Sequence, residues 1–257
     1  MSIISQNVTL KNVTLQDFQM PAWDFSFLSA NSVTYIEGGF VVIQQLNDMG
    51  AIGIPAIQQS TDPTKLVYLE DGVFGGDSGA RLETRTVLRS FACSSLSSYN
   101  FLQDGSGATV FIALKPDLVD SGNLIGTTLG NAFSENGFMI VVDDDPLELR
   151  VFVNNGNGST NIIAINQALT TLAGDVLVIA VTISATGVSL WVNGVFKIFQ
   201  AFLGTPSTSN ASRNLHIFGA DGAVGIQGVG YVARGINTVL SDGFIAQYSD
   251  YLYTNRG

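Results

Sequence analysis

A chain of 257 residues with 21 acidic against 11 basic side chains, net charge −10, lacks the basic patches that nucleic-acid phosphates or anionic membranes attract. With 46% hydrophobic and only 12% charged residues it is not a disordered polymer, and its length lets it bury about 70–75% of its unfolded surface without a disulfide or a metal. Cys93 is the one cysteine, which rules out an intrachain disulfide, and 28 glycines point to many tight turns.

The first segment, "MSIISQNVTLKN", has neither a basic start nor an apolar core of signal-peptide length, so synthesis in a cytoplasm without a signal peptide is expected. "NVTL" occurs twice, at Asn7–Leu10 and Asn12–Leu15. Two copies are too few for a solenoid. Residues 1–20 read as an arm with one or two short strands, able to dock on another subunit or to form an edge strand of their own domain. Four Asn-x-Ser/Thr sequons, at Asn7, Asn12, Asn157 and Asn210, read as turn and strand-end asparagines in a chain without an export signal.

From Pro21 to Gly257 the chain reads as one domain of strands and turns. "VTYIE" and "FVVIQQL" flank Gly38-Gly39, and "KLVYLEDGVFGG", "ARLETRTVL" and "ATVFIALKP" follow. "FMIVV" turns through Asp143, Asp144, Asp145 and Pro146 into "LELRVFV", and "NNGNGSTN" turns again into "IIAIN". "DVLVIAVTI" is apolar on both faces, which marks a central strand; its apolar run is also far too short to cross a bilayer. "NLHIFGA" and "VGIQGVGYVARGI" continue the pattern. Short strands at this spacing predict an all-β antiparallel sandwich. Only the end departs: Ser241 can cap a short helix with Phe244, Tyr248, Tyr251 and Leu252 on one face.

"SLWVNGVFKIF" is the sharpest local signal. Asn193-Gly194 between β-favouring runs predicts a two-residue type I′ hairpin, whose central positions need positive φ. The register then sets Val192 opposite Val195, Trp191 opposite Phe196 and Leu190 opposite Lys197. Val188, Leu190, Val192, Val195 and Phe199 would share one face, and Ser189, Trp191, Phe196 and Ile198 the other.

The order of these stretches resembles the concanavalin A-like, laminin G-like jelly-roll domains of bacteriophage virion and bacterial surface proteins. "AWDFSFLSANSVTYIEGGFVVIQQLNDMG", "ATVFIALKP", "DVLVIAVTISATGVSLWVNGVFK" and "GVGYVARGINTVLSDGFIAQYSDYL" carry the resemblance. It departs at Leu46, where the family often has an aromatic, and at "RLETRTVL", which replaces a Phe-Asp-Gly. The resemblance implies a two-sheet antiparallel jelly roll with one short C-terminal helix. It implies that Leu190 and Val192 face the inter-sheet core, leaving Trp191 and Phe196 as a ligand or partner surface on the outer face. The alternative is an indole covered by a loop of its own chain.

Candidate chemistry is sparse. Retaining glycoside hydrolysis needs two carboxylates about 5–5.5 Å apart. The Glu-x-Asp-x-Glu arrangement of fold relatives is absent, Glu70-Asp71 are adjacent, and Glu148 alternates only with Arg150 and Pro146. Asp143, Asp144 and Asp145 are the candidates for a metal, calcium being the cation such oxygens suit; the other reading is a solvated turn. His216 has no second histidine to complete a zinc site, and Cys93 has no basic neighbour in sequence, so both read as packed strand residues. Arg81, Arg85 and Arg89, with Glu83, fit a solvated ion-pair ladder on one strand face. The expected protein is therefore non-enzymatic and without a cofactor. By resemblance it is a bacteriophage virion surface protein, a head decoration or tail-associated adhesin that binds glycans and associates with other virion proteins and with itself. The alternatives are a capsid-stabilising protein without ligand, a bacterial carbohydrate-binding module and a glucanase-like hydrolase. Nucleic acid and membrane insertion are not expected.

Overall fold

The computed structural model describes residues 8–10, 13–15, 20–37, 40–59, 68–74, 77–82, 90–116, 122–129, 133–144, 146–158, 162–169, 175–219 and 227–255. Within the arm, β1 (Val8–Leu10) and β2 (Val13–Leu15), the two copies of Val-Thr-Leu, pair antiparallel with each other in a sheet of their own. The other strands belong to one antiparallel system. They are β3 (Phe25–Glu37), β4 (Phe40–Asp48), β5 (Ala56–Gln58), β6 (Tyr68–Phe74), β7 (Asp77–Leu82), β8 (Phe91–Cys93), β9 (Ala108–Pro116) and β10 (Gly122–Gly126). After them come β11 (Asn136–Asp144), β12 (Leu147–Asn155), β13 (Ile163–Ala168), β14 (Leu177–Ile183), β15 (Gly187–Val192), β16 (Val195–Ala201), β17 (Leu215–Ile217) and β18 (Gly228–Ile236). One helix, α1 (Asp242–Asn255), closes the described chain.

The strands follow one hydrogen-bonded path, β13-β12-β11-β10-β17-β8-β5-β4-β6-β7-β18-β9-β14-β15-β16, with β3 bridging β18 and β4. Its two end strands, β13 and β16, approach one another. Both halves of the path feed one apolar cluster: Phe138, Ile140, Val151 and Ile165 from one, Val110, Ile112, Ile179 and Leu190 from the other. The sheet therefore curls over its own core as a β-sandwich or barrel-like body. The period-two alternation explains the arrangement, because residues i and i+2 of each strand point to one side.

A second layer explains why "DVLVIAVTI" is apolar on both faces. All seven residues of β14 are buried, but Val178 and Ala180 point away from the main core. They meet Phe111, Trp191 and Tyr231 from neighbouring strands, together with Ile245, Tyr248 and Leu252 of α1. The helix begins where the sequence places it. Ser241 Oγ accepts the Phe244 N–H at 3.3 Å, satisfying one of the otherwise orphaned donors of the first turn. Among the described residues no helix is long and apolar enough to cross a membrane.

An ion pair holds together the β10–β11 and β16–β17 connections. Arg213 donates Nη2 to Glu135 Oε1 at 2.7 Å and Nε to both carboxylate oxygens at 3.0 Å. These bonds to Arg213, aided by the Leu129 N–H and the Thr128 hydroxyl, hold the Glu135 carboxyl below its ordinary value against the opposing effect of burial. A lowered carboxylate pKa contributes stability that is present above the unfolded value and lost as pH falls through the folded one. Glu135→Gln should therefore cost about 1 kcal/mol at neutral pH. That difference should vanish in urea titrations well below the unfolded carboxylate pKa of about 4.3.

Candidate functional site

The hairpin of β15 and β16 forms as its sequence demands. Asn193 and Gly194 both have positive φ, at 48° and 75°, as a type I′ turn needs. Asn193 has a second task that the turn signal does not reveal. Its Oδ1 accepts the Val178 N–H at 2.7 Å while its own N–H donates to Val178 O at 2.7 Å, which ties the turn to the first residues of β14.

The register holds for two pairs and then slips. Val192 lies opposite Val195 and Trp191 opposite Phe196, but a bulge follows, and Leu190 pairs with Ile198 instead of Lys197. Lys197 is the extra residue of the bulged strand. Beyond it the faces of β16 exchange: Ile198 packs against the main core, while Phe199 lies opposite Ser189 and is 49% exposed. This corrects the expectation that Phe199 turns inward and Ile198 outward.

Leu190 and Val192 are in the main core, and Trp191 is on the opposite face. That face is not open at the indole. Trp191 is only 4% exposed, within the layer that α1 covers, and the turn beside it abuts the helix: a Cβ added to Gly194 would lie 3.1 Å from Ala246 O. The expectation of Trp191 as a bare stacking platform is therefore corrected by the helix that packs over the sheet. Phe196 is 52% exposed and meets Trp191 edge-on, ring centroids 5.5 Å apart. Trp191 thus braces Phe196 from behind. Phe199 is exposed on the same face of this terminal strand, and Leu203 is exposed in the loop after it. An exposed apolar cluster with polar neighbours is the surface expected of a binding site. On the other side of the same strand, Leu169, Leu177, Val192, Asn193, Val195 and Lys197 line most of a cleft of about 260 Å³.

The acidic turn is partly engaged. Arg150 Nη1 contacts Asp143 Oδ2 at 2.6 Å and its Nε donates to Glu148 Oε1 at 2.5 Å. Asp144 ends β11 opposite Leu147, and Asp145 lies outside the described residues. Among the described residues no three His, Cys, Asp or Glu side chains come together as a metal site would require. Glu83, Arg85 and Arg89 of the suggested ladder also lie outside the described residues.

His216 is buried in β17, and its Nδ1 shares a 2.9 Å hydrogen bond with Ser90 Oγ. Cys93 is fully buried in the main core, where burial pushes its thiol up to about 12. A thiol held protonated at neutral pH is a packing group and not a nucleophile.

No family model matches the sequence, and no curated protein matches it. Solved structures do resemble the fold. The domain in "Crystal structure of Botulinum neurotoxin serotype D binding domain" superposes with a TM-score of 0.58 at 10% identity, over 90% of this chain and 51% of that one. A second, the binding domain of botulinum neurotoxin DC in complex with SialylT, gives a TM-score of 0.53 at 8% identity, over 90% of this chain and 52% of that one. The chain therefore spans about half the length of these toxin domains. The CBM40 of the Ruminococcus gnavus IT-sialidase, bound to α2,3-sialyllactose, gives a TM-score of 0.53 at 14% identity. There 66% of this chain covers 96% of the module. At such identities the likeness is one of fold, a β-sandwich shared with domains whose names describe binding.

Proposed function

We propose that this chain is a non-catalytic glycan-binding β-sandwich, its sheet closed as the two layers of a jelly roll, displayed on the surface of a bacteriophage virion. The observation that supports glycan binding is the pair of half-exposed phenylalanines, Phe196 and Phe199, on the outward face of β16. An aromatic ring with a free face offers large apolar contact at low entropic cost, which suits the apolar face of a pyranose. Ser189, opposite Phe199 in the ladder, supplies a hydrogen-bonding group beside it. The likeness to a sialyllactose-bound module and to toxin binding domains points the same way, as fold-level analogy. The virion setting rests on the sequence resemblance alone, and the arm of residues 1–20 would there dock on a neighbouring subunit as an added strand.

A bacterial carbohydrate-binding module is the second reading. The extent of the CBM40 match, which takes in nearly the whole of that module, favours it about equally. Co-sedimentation of the protein with purified phage particles separates the two. Glycan binding is tested on a glycan array with Phe196→Ala and Phe199→Ala. Loss of two exposed rings should weaken binding at least about tenfold, which corresponds to about 1.4 kcal/mol. Unchanged binding in the double variant would remove β16 from the site.

A further inference from the structure

Arg234 is a buried cation without a counter-ion among the described residues. It lies on β18, 8% exposed, in the layer under α1. Its Nε donates to Ser26 Oγ at 2.9 Å, and its Nη1 donates to the Tyr248 hydroxyl. The guanidinium carbon sits 5.8 Å from the ring centroids of both Trp23 and Tyr248. No carboxylate reaches it among the described residues. The contrast with the two other arginines whose contacts are described is plain: Arg150 is paired with Asp143 and Glu148, and Arg213 with Glu135.

A guanidinium stays charged at any pH the fold survives, and burying it is costly unless an anion or a full set of acceptors compensates. Two neutral hydroxyls and two ring faces are a partial set. Tyr248 cannot serve as the anion, because burial pushes its hydroxyl up to about 12 despite the opposing pull of Arg234. Nη2 makes no hydrogen bond among the described residues and is not sealed from solvent. The neighbouring indole N–H of Trp23 also has no acceptor. Two donors without acceptors among the described residues thus lie in one aromatic layer, in a chain with 21 acidic residues of its own to spare.

We infer that Arg234 is the recognition point for an external carboxylate, carried by an acidic sugar. The carboxylate would accept from Nη2 and from the free hydrogen of Nη1, the planar fork that fits a carboxylate's two oxygens. Tyr251, half-buried, stacks nearly parallel on Tyr248 with centroids 5.9 Å apart and belongs to the same aromatic layer. The inference rests on the glycan-binding reading above but places the acidic determinant elsewhere than on β16. It would make the protein selective for charged glycans over neutral ones.

The test uses the full chain and three probes: N-acetylneuraminic acid, its methyl ester and inorganic phosphate. Binding is followed by calorimetry and by the emission of Trp23 in a Trp191→Phe background. The acid should bind at least about tenfold more tightly than the ester, which is the same sugar without the charge, and should change Trp23 emission. Arg234→Gln should abolish that preference. Arg234→Lys, which keeps the charge and loses the fork, should weaken acid binding several-fold; it decides the matter if the Gln variant does not fold. Equal binding of acid and ester, undiminished acid binding in either variant, or tighter binding of phosphate than of the acid would overturn the inference. Neutral-glycan binding that Phe196→Ala removes and Arg234→Gln leaves intact, with no preference for the acid, would also overturn it while sparing the glycan-binding reading.

Discussion

Trp191→Ala should lower the free energy of unfolding by about 3–5 kcal/mol. For a chain of this size that corresponds to a fall in Tm on the order of 10 °C. The indole is 4% exposed in the layer between sheet and helix, and its removal leaves a cavity that neighbouring strands, fixed by their ladders, cannot close. Leu190→Ala, on the other face of the same strand and fully buried, should cost about 2–5 kcal/mol by the same mechanism. Phe196→Ala should cost far less, about 1 kcal/mol, because half of the ring is in water already and the edge-on pair with Trp191 contributes about 0.5–1.5 kcal/mol. The measurement is urea unfolding of the three variants beside the parent. A Trp191→Ala protein as resistant to urea as the parent would mean that α1 does not pack on the sheet. The indole would then be available to ligands after all.

Trp191 is covered for a reason that its own strand does not carry. Alternation correctly separated Leu190 and Val192 from Trp191, since a period of two needs only the turn and the strand direction. What alternation cannot say is what lies over the second face. The answer was held by a distant segment: "LSDGFIAQYSDYL" reads as an amphipathic helix, and its apolar stripe must cover something. Two unclaimed apolar faces, one on "DVLVIAVTI" with Trp191 and one on that helix, were each visible and could have been matched. The bulge at Lys197 was invisible, because one extra residue leaves the composition of a strand unchanged while reversing every face beyond it. Short strands such as β5, β8 and β10 were missed because three to five residues cannot display a period. The helix start at Ser241, the I′ turn at Asn193-Gly194 and the buried strand β14 were legible because each depends on local chemistry alone. Arg234 left no signal in sequence: an arginine in "GYVARGI" looks like an ordinary strand cation, and only the fold shows that no carboxylate of the described residues meets it.

Gly50→Ala should be as damaging as the loss of a core side chain, although glycine contributes nothing to the core. The stretch "NDMG" crosses the start of β3 at close range. Asp48 Oδ1 accepts the N–H groups of Ser26 and Gly50, each at 2.8 Å, and the Met49, Ala51 and Ile52 N–H groups donate to Ser26, Trp23 and Asp24 carbonyls at 2.8–2.9 Å. A Cβ at Gly50 would lie 2.4 Å from Asp24 O, 2.5 Å from Phe25 Cα and 2.6 Å from Asp24 C. All three are backbone atoms, so no rotamer change relieves the overlap and the two segments must part. Parting them strains the five bonds just named, each of which contributes about 0.5–1.5 kcal/mol. It also displaces Phe25 and Trp23, one from each apolar layer. With overpacking itself costing about 1–3 kcal/mol, the total should reach about 3 kcal/mol or more. Gly53→Ala, three residues on, is the control. Gly53 has φ of 67° with nothing within 4 Å of its added Cβ, so that variant bears only the left-handed backbone penalty of about 1–2 kcal/mol. Urea midpoints of the two variants decide the point. If Gly50→Ala proves no less stable than Gly53→Ala, the strand crossing at Asp24 is looser than these distances require, and the Asp48 carboxylate is not what closes it.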